Sequence, residues 1–297
     1  MHSPRIPRAL LLATTLACTP ALAQQAYPTP DQAVQAFVEA LGTQKADAAK
    51  LSALLGKDWR AFIPTEGVER TDVEAFLKAY REKHAMQPSA DGATHLVVGA
   101  ATPWTLPIPL VKDAKGWHFD TRRGAEEIRI RRIGRNEDAA IQAAKAYHDA
   151  QMEYAEEDRD DDGVLEYARR FFSTDGKHDG LYWAEDDSGE ISPLGPLFGD
   201  ATTGNDWHGY HYRILEAQGR SGPGAAYAYT LGDNMSRGIA LVAWPSKYDD
   251  TGVMSFMISH DGTLFQKDLG PNGEAQAKAM KAFDPDSSWR EVPGATP

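Results

Sequence analysis

The run Asp158-Arg159-Asp160-Asp161-Asp162-Gly163-Val164-Leu165-Glu166 holds the densest chemistry in the chain. Alternating carboxylates that end in glycine can wrap oxygens around a hard cation, with the glycine permitting the sharp turn. A full twelve-position calcium loop closes on a bidentate acid. That place is occupied by Arg169, so the expected Ca2+ ligands are Asp158, Asp160, Asp162 and Glu166. The acids crowded between Glu156 and Asp162 also repel one another, which favours a cation nearby. The competing reading is a loop whose Asp161 or Asp162 caps a helix over Val164–Phe172.

Histidines offer a second set. His208 and His211 have the spacing of some metal pairs, yet residues three apart on a strand point to opposite faces. Both reach one zinc only if His208 lies in the preceding loop, and no third ligand stands out. With Asp179 and His260 they make the alternative set, a hydrolase site in the second half. A serine hydrolase lacks its elbow, because Ser221-Gly222-Pro223-Gly224 does not fit Gly-x-Ser-x-Gly. Gly219, Gly222 and Gly224 sit between strand-like segments and read as turn glycines. Asp249-Asp250 and Asp284-Pro285-Asp286 form an acid/base pair only if the fold unites them. Tyr182, Trp183, Trp207, Tyr210 and Tyr212 read as core, the alternative being the wall of a sugar or peptide groove.

These residues stand in a chain of 297 with 31 Lys and Arg against 43 Asp and Glu, a formal charge of −12. Its start has a distinct order: His2, Arg5 and Arg8, then the apolar run Ala9–Ala17, then Ala21-Leu22-Ala23. A basic end, a short apolar stretch and a small-x-small site describe a secretory signal peptide, removed after Ala23. The run is too short to span a bilayer, and no later segment is long and apolar enough. The single cysteine, Cys18, follows Thr15 at the place where a lipoprotein site has an aliphatic residue, so lipid anchoring is not expected. Loss of Arg5 and Arg8 takes the charge to −14 and leaves no thiol or disulfide. That acidity argues against a nucleic-acid partner, whose phosphates need clustered Lys and Arg. The expected address is the periplasm.

The elements that position the candidates divide into two sets. Thr29-Pro30-Asp31 opens a helix, with Ala33, Val34, Phe37, Val38 and Leu41 at helical spacing before Gly42. A second helix covers Ala46–Leu55, and a third begins at Thr71 with Val73, Phe76, Leu77 and Tyr80 on one face. Strands are expected at His95–Gly99, Leu106–Val111 and Gly116–Asp120. This is a small α+β domain over 24–121. The Arg-rich stretch 122–135 reads as a solvated connecting segment. Asn136-Glu137-Asp138 then opens a long helix, with a packed His148 on its stripe. Four strands follow, Gly209–Leu215, Gly238–Trp244, Val253–Ser259 and Thr263–Asp268, the last two joined by a His260-Asp261-Gly262 turn. Residues 136–297 are therefore expected to form a long helix packed on an antiparallel meander, again α+β.

Six ordered motifs carry a resemblance. They are Gly124-Ala125-Glu126-Glu127-Ile128, Arg132-Ile133-Gly134-Arg135-Asn136-Glu137, Asp160-Asp161-Asp162-Gly163-Val164-Leu165-Glu166-Tyr167, Gly180-Leu181-Tyr182-Trp183, His208-Gly209-Tyr210-His211-Tyr212-Arg213-Ile214-Leu215 and Lys267-Asp268-Leu269-Gly270. Together they resemble the bacterial exported-protein family numbered 2950 among domains of unknown function. The resemblance covers nearly the whole mature chain and implies an envelope address without any activity. The order of elements in the second half is also similar to pilin-like and pseudopilin globular domains. The functional expectation is a non-catalytic envelope protein for binding or assembly, with an envelope protein or a small ligand as its partner. One place for such a ligand is between the helices and sheet of the first domain.

Overall fold

The computed structural model describes residues 24–159, 162–184, 189–195 and 206–294. Asp160 and Asp161 lie outside the described residues, as does the expected signal peptide. The chain divides into two compact units, Met1–Glu127 and Ile128–Pro297. No helix among the described residues is long and apolar enough to cross a membrane.

In the first unit, α1 (Pro30–Leu41) starts where Thr29 Oγ1 accepts the Gln32 amide at 3.3 Å. It buries Ala33, Val34, Phe37 and Ala40. Gly42 ends it at φ +58°, and a Cβ there would lie 2.4 Å from the Lys45 carbonyl oxygen, so glycine is required. Helix α2 (Ala48–Leu55) is capped by Asp47, whose carboxylate accepts the amides of Ala49 and Lys50. A 3₁₀ turn at Trp59–Ala61 precedes α3 (Arg70–Glu82). Then come β1 (His84–Pro88), β2 (Thr94–Val98), β3 (Trp104–Thr105), β4 (Leu110–Asp113) and β5 (Gly116–Phe119). The sheet order is β1-β2-β4-β5, with β3 paired to β2. Thr94, Leu96 and Val98 point into the core by strand alternation.

Two expectations fail here for identifiable reasons. The strand expected at Leu106–Val111 begins only at Leu110, because Pro107 and Pro109 cannot donate to a ladder. Leu106 and Ile108 are nonetheless buried. Strand β1 was not expected, since it is exposed at four of five positions and shows no apolar alternation.

The division between units falls within α4 (Thr121–Tyr154). This helix starts fifteen residues before the expected Asn136, with Asp120 Oδ1 accepting the Arg123 amide at 3.0 Å. Asn136 is mid-helix, and its Nδ2 donates to the Thr251 carbonyl at 2.8 Å. The Arg-rich stretch is therefore the first part of α4, and two of its guanidinium groups have specific uses. Arg129 pairs with Asp249, and Arg132 with Asp250, both within the second unit.

The second unit continues with β6 (Tyr210–Leu215), β7 (Ala217–Gln218), β8 (Tyr227–Ala228), β9 (Ala240–Pro245), β10 (Met254–Ser259) and β11 (Leu264–Asp268). A short α5 (Gly273–Ala279) and β12 (Arg290–Glu291) complete it. The antiparallel sheet runs β12-β11-β10-β9-β6, so the four expected strands form the expected meander. Strand β9 is buried at all six positions because both faces are covered. On one side, Ala140, Ala144, Tyr147, Ala150 and Tyr154 of α4 join the core, and Tyr147 Oη donates to the Ala240 carbonyl at 3.3 Å. On the other, Arg213 of β6 donates to carbonyls of Ala277 and Lys278 at the end of α5. His148 packs at 9% exposure.

The helix expected at Val164–Phe172 is absent. The amides of that segment go to tertiary acceptors rather than to residues four back. Tyr167 donates to the Met235 carbonyl, and Ala168 to Oε1 of the buried Gln151.

Candidate functional site

The first unit has an open groove of about 460 Å³. Helix α1 contributes Phe37 and Leu41. Helix α3 contributes Asp72, Val73, Ala75, Phe76 and Ala79, with Val98 from β2 and Trp104 from β3. Val68 and Leu106 complete the lining. Ten of these eleven residues are apolar, and the volume lies within the 300–1,000 Å³ range typical of small-molecule sites.

Local chemistry fixes the walls. Arg70, at the start of α3, donates from its guanidinium to the carbonyls of Leu41 at 3.1 Å and Gly42 at 2.7 Å. Those carbonyls lie at the end of α1, where no intrahelical donor remains. One side chain thus satisfies α1 and sets α3 beside it. Aromatic edges continue the wall. Phe37 meets Phe76 at 6.2 Å between centroids, and Phe76 meets Trp104 at 6.0 Å, both edge to face. Val68 is 56% exposed and Trp104 46%, so the mouth presents large apolar side chains to solvent.

Asp72 is the single charged residue of the lining. Its Oδ2 accepts the Glu69 amide at 2.8 Å, capping α3 at the groove rim. A carboxylate there disfavours a ligand whose own negative charge lies close by. The groove thus suits a neutral or cationic apolar molecule.

The acidic loop is arranged differently. The Asp158 carboxylate accepts the amides of Asp162 at 3.3 Å and Gly163 at 2.8 Å. Asp162 accepts the Val164 amide and the Asn234 Nδ2, and Glu166 accepts the Met235 amide. The described carboxylates therefore hold the loop to its own backbone and to Asn234-Met235, while Asp160 lies outside the described residues. Among the described residues, no group of three or more His, Cys, Asp or Glu is placed to hold a metal.

The alternative set Asp179, His208, His211 and His260 is not brought together. His211 pairs in register with Trp244, at the far end of β9 from Ala240. His260 directly follows Ser259, which pairs with Ala240. Four residues of strand separate the two levels by about 13 Å. His208 sits in the turn before β6 with φ +51°, its ring against Trp207. His260 accepts from or donates to neither of them; its carbonyl takes His148 Nε2. Asp179 closes a local turn. Burial raises its pKa, but hydrogen bonds from the Thr174 amide and hydroxyl and the Arg170 charge outweigh this and hold it below the usual carboxylate range. Four of the five aromatic candidates are core: Tyr210 and Trp183 are buried, and Tyr182 and Tyr212 pack against the same cluster, while Trp207 is half-buried outside it.

The groove residues were only partly visible in the sequence. Phe37, Val73 and Phe76 read as helix stripes, which they are, but periodicity does not say that a stripe is left uncovered. Val68 and Trp104 carry no periodic signal at all.

Comparison with known proteins gives one family. A model described as a protein of unknown function (DUF2950) matches residues 24–292, and the chain belongs to that family. No curated protein and no solved structure matches the chain. The pilin-like likeness therefore rests on the order of elements alone.

Proposed function

We propose that this member of the DUF2950 family is an exported binding protein that captures a small apolar molecule, neutral or cationic, in the groove between α1, α3 and the first sheet. The observation that carries the reading is the near-wholly apolar lining with exposed Val68 and Trp104 at its mouth. Exposed apolar surface of this kind marks ligand or partner sites. Export is supported by the basic, apolar and small-residue order of residues 1–23. It is supported further by Gln24, where the family match begins. Gln24 is anchored in the fold, its Nε2 donating to the carbonyls of Leu54 and Phe119. A non-catalytic role is supported by the separation of His211 from His260 along β9. The second reading of the acidic loop, calcium at Asp158, Asp160, Asp162 and Glu166, is supported by spacing alone and stands against a loop held by its own backbone.

A ligand that buries about 500 Å² of combined apolar surface gains roughly 12 kcal/mol. An association cost of several kcal/mol brings the expected dissociation constant to the micromolar or millimolar range. The test is titration with the neutral fluorescent probe N-phenyl-1-naphthylamine. Saturable one-to-one binding that is lost in Ala75→Trp, which fills the groove from an exposed position, supports the reading. Binding unchanged by Ala75→Trp, or absent throughout, rejects it.

A further inference from the structure

We propose that a second hollow of the first unit, at the start of α4, binds a small oxyanion on Trp59, Lys57 and Arg122. The hollow measures about 310 Å³ and lies among these residues, His118, Asp58 and Asp120. Trp59 is 6% exposed, and its Nε1–H has no acceptor among the described residues. Buried donors are nearly always satisfied in folded proteins, so an orphan beside a hollow points to a missing acceptor.

The donor inventory defines the ligand. Trp, Lys and Arg side chains donate and cannot accept, so a molecule that satisfies all three must present several acceptor oxygens. The Arg122 guanidinium lies over the Phe62 ring at 5.0 Å. No carboxylate partner is found for Arg122 or Lys57 among the described residues. Of the two acids, Asp120 is matched by Arg123, with Nε at 3.3 Å, and also caps the helix. Arg123 also pairs with Asp91 at 3.0 Å, so the acids and bases around the hollow balance, and Lys57 and Arg122 are the two cations of its lining that have no ion pair among the described residues. Charges beyond roughly 8–10 Å are largely screened at physiological salt. The start of a 34-residue helix adds a positive dipole end, and Thr121 and Arg122 are its first residues. A phosphate or a carboxylate group meets these requirements.

The test uses the full chain and follows the Trp59 indole N–H resonance, assigned with Trp59→Phe, at constant ionic strength. Inorganic phosphate and acetate are titrated separately to distinguish the two oxyanion sources. The expected result is a saturable shift with at least one of them, and an affinity lowered about tenfold by Arg122→Gln, as fits loss of a charge-assisted bond. Arg122 and Lys57 are both exposed, so their Gln variants keep the fold. Linear drift equal to that with chloride, or saturation that neither Arg122→Gln nor Lys57→Gln weakens, overturns the assignment.

Discussion

The ring of Trp104 meets the ring of Phe76 edge to face, with centroids 6.0 Å apart, while 46% of Trp104 stays exposed. One residue lies on a two-residue strand and the other on α3, so the pair ties the sheet margin to the helix across the groove. A tryptophan held in this way, yet left half in water, has an apolar face available for a ligand.

Arg70 is expected to be the positioning residue of the groove. Arg70→Met removes the donors to Leu41 and Gly42 but keeps much of the apolar stem. Hydrogen bonds from a charged donor contribute about 1.5–3 kcal/mol, and partial exposure lowers this to about 1–2 kcal/mol. Denaturant unfolding is expected to show that loss, together with weaker probe binding. Unchanged stability and unchanged binding would show that α3 is held by packing alone.

Gln151 acts as a substitute strand for Ala168. Its Oε1 accepts the Ala168 amide at 2.8 Å and its Nε2 donates to the Ala168 carbonyl at 2.7 Å, with the side chain fully buried. Gln151→Met keeps the volume and leaves both backbone groups unsatisfied, for an expected loss of about 2–4 kcal/mol. A loss below about 0.5 kcal/mol in chemical denaturation would mean that water or a shifted backbone takes over both bonds.

Acid is expected to loosen the β9–β10 loop. The Lys247 ammonium and the Arg132 guanidinium hold the Asp250 carboxyl below the usual carboxylate range, against a smaller upward push from burial. A depressed folded pKa contributes stability that is present above the unfolded value near 3.9. It disappears as pH falls through the lower folded value. Asp250→Asn is therefore expected to melt lower than the parent at pH 7 and to converge with it in strong acid. A constant difference from pH 7 down to about pH 2 would contradict this.

Much of the scaffold was legible because its signals are local. Thr29 and Gly42 mark the ends of α1 through their own hydrogen-bonding and backbone freedom. The strands of the second meander alternate or run continuously apolar. What was hidden depends on distant partners. The start of α4 at Asp120 was obscured because Asn136-Glu137-Asp138 has the composition of a cap, although Asn136 bonds to Thr251 instead. Residues 164–172 read as helical, yet Met235 and Gln151 take their amides. The groove was the least legible feature, since an apolar stripe looks the same whether or not something covers it.

The acidic loop separates two accounts of its carboxylates. Calcium sites of extracellular modules bind at about 10⁻⁴–10⁻³ M, and a tenfold excess over the dissociation constant adds about 1.4 kcal/mol. For a unit of this size the melting point would rise roughly 3–5 °C. Because Asp158, Asp162 and Glu166 already accept amides, the loop is expected to stand without an ion, with a shift under about 1 °C. A larger rise that Asp160→Asn with Asp162→Asn abolishes would establish the calcium site.

Intermolecular contacts between a bound probe and the groove methyls test the binding role most directly. With N-phenyl-1-naphthylamine in saturating amount and selectively labelled methyl groups, nuclear Overhauser effects are expected from the probe to Val73, Val98 and Leu106. Leu51 and Leu54, buried on α2 and outside the groove lining, are expected to show none. The anionic relative of the probe, which carries a sulfonate on the same aromatic frame, is expected to bind more weakly because Asp72 stands at the rim. Contacts confined to methyls of the second unit, or no contacts at saturation, would contradict the assignment of this groove as the ligand site.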